Sequence, residues 1–300
     1  MMQSINMATR TWTSRYCSCS ALHEQRRLTH TSYALKAIRM ENQDVLEHNR
    51  KAWDRQVESA NRWTTPVSKE TIELARAGQF EIVLTPTRPV PADWFPSLPG
   101  TQTLCLASAG GQQAPILAAA GAKVTVFDNS PRQLEQDRHV AERDGLDMRF
   151  VQGDMANLEM FADESFDFIF HPCSNMFVPD VVPVWRECFR VLRSGGVLMA
   201  GFINPLRYLF EDERKENGSL RVTYRLPYSD REHLDEPHIQ AAIAAAEPLE
   251  FGHTLEDQIG EQLRAGFHLT GMFEDKYAEE DADPISEYID TFIATRAIKP

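Results

Sequence analysis

Thr103 to Pro115 reads T-L-C-L-A-S-A-G-G-Q-Q-A-P. An apolar strand runs into a loop of small residues and then opens a helix. Small residues let the backbone approach a ligand closely, and amides left unpaired at the start of a helix hold an anionic end. The same pattern also makes an ordinary tight connection, so the residues that follow decide its meaning. A second apolar strand, Lys123 to Phe127 (K-V-T-V-F), ends in Asp128, seventeen residues past Gly111. A carboxylate at that spacing, on the tip of the neighbouring parallel strand, can accept hydrogens from both hydroxyls of a ribose. Asn129, Ser130 and Pro131 follow; Ser130 reads as a helix N-cap and Pro131 as the first helical residue, so Asp128 is spared that duty.

Further along, a polar helix extends to about Asp144 and a short strand covers Met148 to Val151. The turn Gly153-Asp154-Met155 then leads to a strand from Phe166 to Phe170. Val181, Val184, Trp185, Cys188, Phe189 and Leu192 recur with helical period and predict a helix with one buried stripe, stopped by Gly195 and Gly196. A fifth strand covers Val197 to Phe202. Strands alternating with helices predict a parallel sheet covered on both faces, with ligands beyond the strand carboxyl ends. Four strand ends then converge on one crevice: Ala107 to Gln113, Asp128, Gly153 to Met155, and His171 to Asn175. Upstream, Leu46 to about Trp63 has the apolar spacing of a surface helix. Trp53, Trp63 and Trp185 read first as packing.

Composition narrows the function. The 300 residues are 42% hydrophobic, enough for a sizeable core, and no apolar run approaches the ~18 residues that suggest a membrane span. A net charge of −13 and a pI near 5.2 argue against a broad nucleic-acid footprint. The basic residues between Arg207 and Arg225 are offset by Glu211, Asp212, Glu213 and Glu216. The five cysteines and nine histidines show no metal-ligand spacing, and no metal is expected. Cys105, Cys173 and Cys188 fall in or beside apolar elements and read as reduced, which fits a cytoplasmic protein. Residues 1–39 carry six basic residues against Glu24 alone, amid many Ser and Thr. Either Met40 is the true start, or this stretch is an organelle presequence and the compartment is organellar; an extension outside the domain is expected in both cases.

Together, V-T-V-F-D-N-S (124–130), Q-G-D-M-A-N-L (152–158), D-E-S-F-D-F-I-F (163–170) and R-V-L-R-S-G-G-V-L (190–198) resemble the class I S-adenosylmethionine-dependent methyltransferases of the small-molecule type. The resemblance covers roughly Asn49 to Pro300. It implies an α/β, Rossmann-like, doubly wound seven-stranded sheet, mostly parallel with an antiparallel last strand. The domain, 40–300, would comprise a helical cap (40–100), a cofactor core (101–203), a lid insertion (204–253) and a C-terminal helix and strands (254–300). Leu255 to Ala265 then reads as a helix, Gly266 to Phe273 as a strand and Thr291 to Ile298 as the inserted antiparallel strand.

The resemblance implies S-adenosylmethionine as cofactor. Ala107, Ser108, Ala109, Gly110 and Gly111 would pass beneath its methionine moiety, and Gln112 and Gln113 would stand near its carboxylate. Asp128 would grip the ribose, with Asn129 beside it, and Asp154 would bond the adenine amino group, with Met155 on the ring. The backbone of His171 and Pro172 would face the methionine amino group. His171 is the candidate base, and Trp63, Asn175 and Tyr208 are candidate contacts to a small-molecule acceptor. The chain departs from the family at Cys105, where an acidic residue is usual, and at Ala107 and Ala109, where glycines are usual; alanine has less freedom at positive φ. Two other readings share the first loop: a binding module that does not turn the cofactor over, and a nicotinamide oxidoreductase, which would need glycine at Ala107, Ala109 and Gln112.

Overall fold

A computed structural model describes residues 41–210, 219–234, 236–279 and 283–300. The expected extension (1–39), Cys17 and Cys19, and the offsetting acids Glu211, Asp212, Glu213 and Glu216 lie outside the described residues.

Two helices precede the sheet, α1 (Asn42–Glu58) and α2 (Lys69–Arg76). The first starts four residues earlier than the apolar spacing suggests because Asp44 accepts a hydrogen bond from the Glu41 N–H at 3.0 Å, capping the polar first turn. It ends at Glu58, and Trp63 sits in a separate 3-10 turn, Arg62–Thr64. There follow β1 (Gln102–Leu106), α3 (Gln113–Ala119), β2 (Lys123–Asp128), α4 (Pro131–Asp144), β3 (Met148–Gln152) and β4 (Phe166–His171). Ser130 caps α4 by accepting from the Gln133 N–H, with Pro131 at its first position, as the sequence indicates.

The helix α5 (Val182–Val191) ends before Gly195 and Gly196, contrary to expectation. Leu192 is already extended and pairs with Phe166 of β4, so β5 (Leu192–Ile203) begins where the helix stops and contains both glycines. Beyond it lie β6 (Tyr228–Ser229), α6 (Asp230–His233), α7 (Glu236–Ala245) and β7 (Phe251–Gly252). A π-helical turn, Glu256–Gly260, runs into α8 (Glu261–Ala265), and β8 (His268–Asp275) and β9 (Phe292–Ile298) complete the chain.

The seven-stranded sheet has the order β3-β2-β1-β4-β5-β9-β8. Only β9 runs against the others, antiparallel to both β5 and β8. Alternation within the strands divides the core. Cys105, Val124, Val126, Phe168 and Phe170 face α2, α3 and α4, whereas Leu104, Leu106, Phe127 and Ile169 face the Val184-Trp185-Cys188 stripe of α5. The chain leaves β1 for β2 and β3 on one side and returns to β4 on the other. The β1–β4 gap is therefore the switch point at which doubly wound sheets bind ligands.

Candidate active site

A cavity of about 830 Å³ opens over the carboxyl ends of β1, β2 and β4. The loop after β1 forms its floor. Ala107 and Ala109 both adopt left-handed backbone, at φ 46° and 61°, and Gly111 does so at 76°. The two alanines thus take the conformation that glycine would hold more cheaply, a strain of about 1–2 kcal/mol each.

The loop is held from the side. Gln133 Oε1 accepts from the Gly110 N–H at 2.7 Å, and Asp137 Oδ1 accepts from the Gly111 N–H at 2.9 Å. This corrects the expectation that these loop amides are left for a ligand: two of them are committed to α4. A Cβ at Gly110 would lie 2.6 Å from the Gln133 carbonyl oxygen, so the helix closes directly on the loop. Asp137 is 1% exposed, and burial pushes its carboxyl well above the usual range. It lies close enough to raise the Cys105 thiol further, after burial itself. A carboxyl group is therefore present beside Cys105, supplied by α4 instead of by the first strand.

Asp128 and Asp154 are built alike. Asp128 Oδ1 accepts from the Ser130 N–H at 2.8 Å, and Asp154 Oδ1 accepts from the Ala156 N–H at 2.9 Å. Each carboxylate turns its own chain through a bond two residues on, and both residues line the cavity. Burial pushes the Asp128 carboxyl up to about 7, with the Asp54 carboxylate adding to the rise and the Ser130 N–H opposing it. Between the two, a Cβ at Gly153 would come within 2.3 Å of the Phe127 ring, so only glycine lets this turn lie against β2.

Ala107, Ala109, Gln112, Gln113, Asp128, Asn129, Asp154, Met155 and Pro172 all face the cavity, together with Trp63 and Tyr208. Ser108, Gly110 and Gly111 support the loop without appearing in the wall. The Gln112 amide turns away, donating to the Arg62 and Thr65 carbonyls. Gln113 is 7% exposed and its Oε1 has no partner.

His171 and Asn175 depart from expectation. Both are fully buried and neither lines the cavity. His171 Nδ1 lies 2.9 Å from the Leu106 carbonyl oxygen and Nε2 lies 2.7 Å from Asn175 Oδ1, so each ring nitrogen faces an oxygen. Burial lowers the imidazole pKa. Trp185 closes its other side edge-on at 6.0 Å. A ring with both nitrogens engaged inside the protein ties β4 to β1; it is not turned toward the cavity and is not posed there as a base. Asn175 in turn donates to Gln258 Oε1 at 3.0 Å.

The remaining wall comes from α1 and from residues beyond β5 that include Tyr208, Tyr228 and Glu250, and α1 is joined to the chain just before β7. Asn49 Nδ2 donates to the Phe177 and Leu249 carbonyls, and Asn49 Oδ1 accepts from the Leu249 N–H at 2.8 Å. Val45 packs on Leu249 and Phe251. The other side of α1 grips the end of β2 and the start of α4: Asn129 Nδ2 donates to the Leu46 carbonyl, and Ser130 Oγ donates to Asp54 at 2.7 Å. Gln133, Asp137, Asn49 and Asp54 escaped the sequence reading. The only signal for the first two was their spacing, i and i+4, on the face of α4 that carries Leu134 and Ala141.

A cavity at the switch point with a second-strand carboxylate defines a nucleoside-cofactor enzyme, and comparison with known proteins specifies which. Residues 104–200 match the family described as methyltransferase domain. The uncharacterized methyltransferase YbaJ of Bacillus subtilis (strain 168) is 50% identical over 255 residues, 85% of this chain and 98% of that protein. In solved structures, the chain is similar to an S-adenosylmethionine-dependent methyltransferase from Mesorhizobium loti, with TM-score 0.53 and 18% identity over 69% of this chain and 94% of that one. It is similar as well to a putative S-adenosylmethionine-dependent methyltransferase from Listeria monocytogenes, with TM-score 0.52 and 16% identity over 69% and 95%. The chain belongs to the class I S-adenosylmethionine-dependent methyltransferases. It is an enzyme whose cofactor is S-adenosylmethionine, and the nicotinamide and binding-module readings fall away. No helix among the described residues is long and apolar enough to cross a membrane.

Proposed function

We propose that the cavity seats S-adenosylmethionine across the β1 and β2 ends and admits a small-molecule acceptor through the lobe beneath α1 and the insertion. The observation that carries this reading is the matched pair Asp128 and Asp154, each pinned by its own turn and each lining the cavity. Asp128 would hold the ribose, and Asp154 with Met155 the adenine. Ala107 to Gly111 and Pro172 would pass beside the methionine portion, where the unpartnered Gln113 Oε1 supplies an acceptor for its ammonium group. When bound, the sulfonium supplies an activated methyl group. The chain's own part is to hold the acceptor in line and exclude water, which is where most of the acceleration of such a displacement originates.

The three described cysteines are free, in keeping with a cytoplasmic setting. The test is calorimetry with S-adenosylmethionine followed by hydrogen exchange. Cofactor product plus acceptor should slow exchange in α1 and in 204–253 while β1, β4 and β5 stay protected throughout. A response confined to the strand-end loops would refute the lid role.

A further inference from the structure

Gln133 is held at two points. Ser130 Oγ, itself bonded to Asp54, accepts from the Gln133 backbone N–H at 3.1 Å, and Gln133 Oε1 accepts from the Gly110 N–H at 2.7 Å. A backbone N–H can only donate, so Gly110 fixes which end of the side-chain amide is the oxygen and which is Nε2. Among the described residues Nε2 has no hydrogen-bond partner, although Gln133 is 3% exposed and lines the cavity. An amide donor kept so far from bulk water without a partner is costly, which marks this one as a ligand contact.

The surroundings indicate which part of a ligand it meets. Three N–H groups of the loop after β1 are spent inside the protein: Ala107 donates to the Phe127 carbonyl at 2.8 Å, Gly110 to Gln133 and Gly111 to Asp137. Of the glutamines beside this loop, Gln112 is committed to the Arg62 and Thr65 carbonyls, and Gln113 is assigned above to the ammonium group. Among the described residues no Lys lines the cavity, and its one Arg, Arg207, lies 3.7 Å from Asp283. A carboxylate arriving over this loop therefore finds neither the Gly110 and Gly111 amides nor a dedicated cation. Behind the loop, burial pushes the Asp137 carboxyl well above the usual range, which disfavours a negative charge there.

We propose that Gln133 is a cofactor-binding residue, its Nε2 donating to the carboxylate of the methionine portion while its Oε1 holds Gly110. The inference rests on the cofactor reading above and adds to it a side chain that reads the amino-acid end. Both placements follow from neighbours: Gly110 belongs to the loop assigned to the methionine portion, and Ser130, which caps Gln133, is the residue whose N–H pins Asp128. One amide then serves two partners. A carboxylate accepting from Nε2 draws charge toward Oε1, so the grip on Gly110 tightens as the cofactor binds.

The experiment measures, by calorimetry on the whole chain, affinity for S-adenosylhomocysteine, which carries the amino-acid end, and for 5′-methylthioadenosine, which lacks it. Gln133→Glu keeps an acceptor for the Gly110 N–H but sets a carboxylate oxygen where Nε2 stood. At pH 9, two units above the value of about 7 to which burial brings Asp128, the new carboxyl is ionised. Affinity for S-adenosylhomocysteine should then fall at least tenfold, whereas that for 5′-methylthioadenosine should change less than threefold. Gln133→Met, similar in volume and without either polar atom, should show the same selective loss at neutral pH and decides the matter if the Glu variant does not fold. Unaltered S-adenosylhomocysteine affinity in a folded variant would overturn the proposal, and so would an equal loss for both ligands, which would mean that Gln133 serves only the loop. A wild-type chain that binds neither ligand would strike the underlying reading and this inference with it.

Discussion

The part of the cavity proposed to hold the cofactor and the part proposed to admit the acceptor are assembled over different distances along the chain. In the first, each carboxylate is set by a backbone N–H two residues away, Asp128 by Ser130 and Asp154 by Ala156, and the sheet register does the rest. In the second, the decisive bonds join residues far apart in sequence: Asn49 to Leu249 across 200 positions and Tyr208 to Glu250 across 42. Local rules place a group almost wherever the fold recurs. A group held by distant partners depends on those partners being in place, so this half is free to differ between enzymes of one fold.

The largest expected effect falls on the cofactor half. Asp128→Ala removes the proposed ribose acceptor and should weaken S-adenosylmethionine binding by about 1.5–3 kcal/mol, roughly ten- to a hundredfold. Calorimetry on the folded variant checks it, and an unchanged Kd would mean that this carboxylate serves only its turn. The matching test of the other half is Asn49→Ala, which strands the buried Leu249 N–H and two carbonyls. A loss of about 1–3 kcal/mol of stability is expected, seen as a lower urea midpoint. If the halves are as separate as their wiring suggests, cofactor affinity in that variant should drop far less than in Asp128→Ala.

A smaller effect comes from pH. With its carboxyl raised to about 7, Asp128 is partly protonated near neutrality, whereas the ribose hydroxyls bond best to the carboxylate. Cofactor affinity should therefore rise with pH and level off above about 8, with a fall approaching tenfold per unit below the pKa. Proton release on binding, read by calorimetry in buffers of different ionisation heat, reports the same group. The cofactor-free protein should show the opposite trend. A carboxyl whose folded pKa lies above its unfolded value keeps its proton longer in the folded state, so this contribution to stability is lost as pH rises from about 4 to about 7. The buried Asp137 acts in the same direction.

The same contrast in wiring governs what the sequence discloses. The sheet, the cap at Ser130, and Asp128 and Asp154 were legible because periodicity and short spacings determine them. Gln133 and Asp137 were not, since their partners Gly110 and Gly111 lie 23 and 26 residues away and meet them only when α4 packs over the loop. His171 misled for a related reason. Its position at the end of β4 is readable, but whether the ring turns toward the cavity or toward Trp185 and Asn175 is decided by the packing of α5 and the turn before α8.

The smallest effect probes a departure within the legible half. Ala107 and Ala109 hold left-handed backbone in a loop gripped at Gly110 and Gly111, so the conformation is imposed by the surroundings against the preference of the residue. Ala107→Gly relieves about 1–2 kcal/mol of strain but returns some of that through the greater freedom of glycine in the unfolded chain. A net gain of up to about 1 kcal/mol should raise the melting temperature by about 2–4 °C. Cofactor affinity should stay the same or improve slightly, because the backbone path is already the one glycine would take. A lower melting temperature would show that the Ala107 methyl contributes more to packing on the cavity floor than its backbone costs.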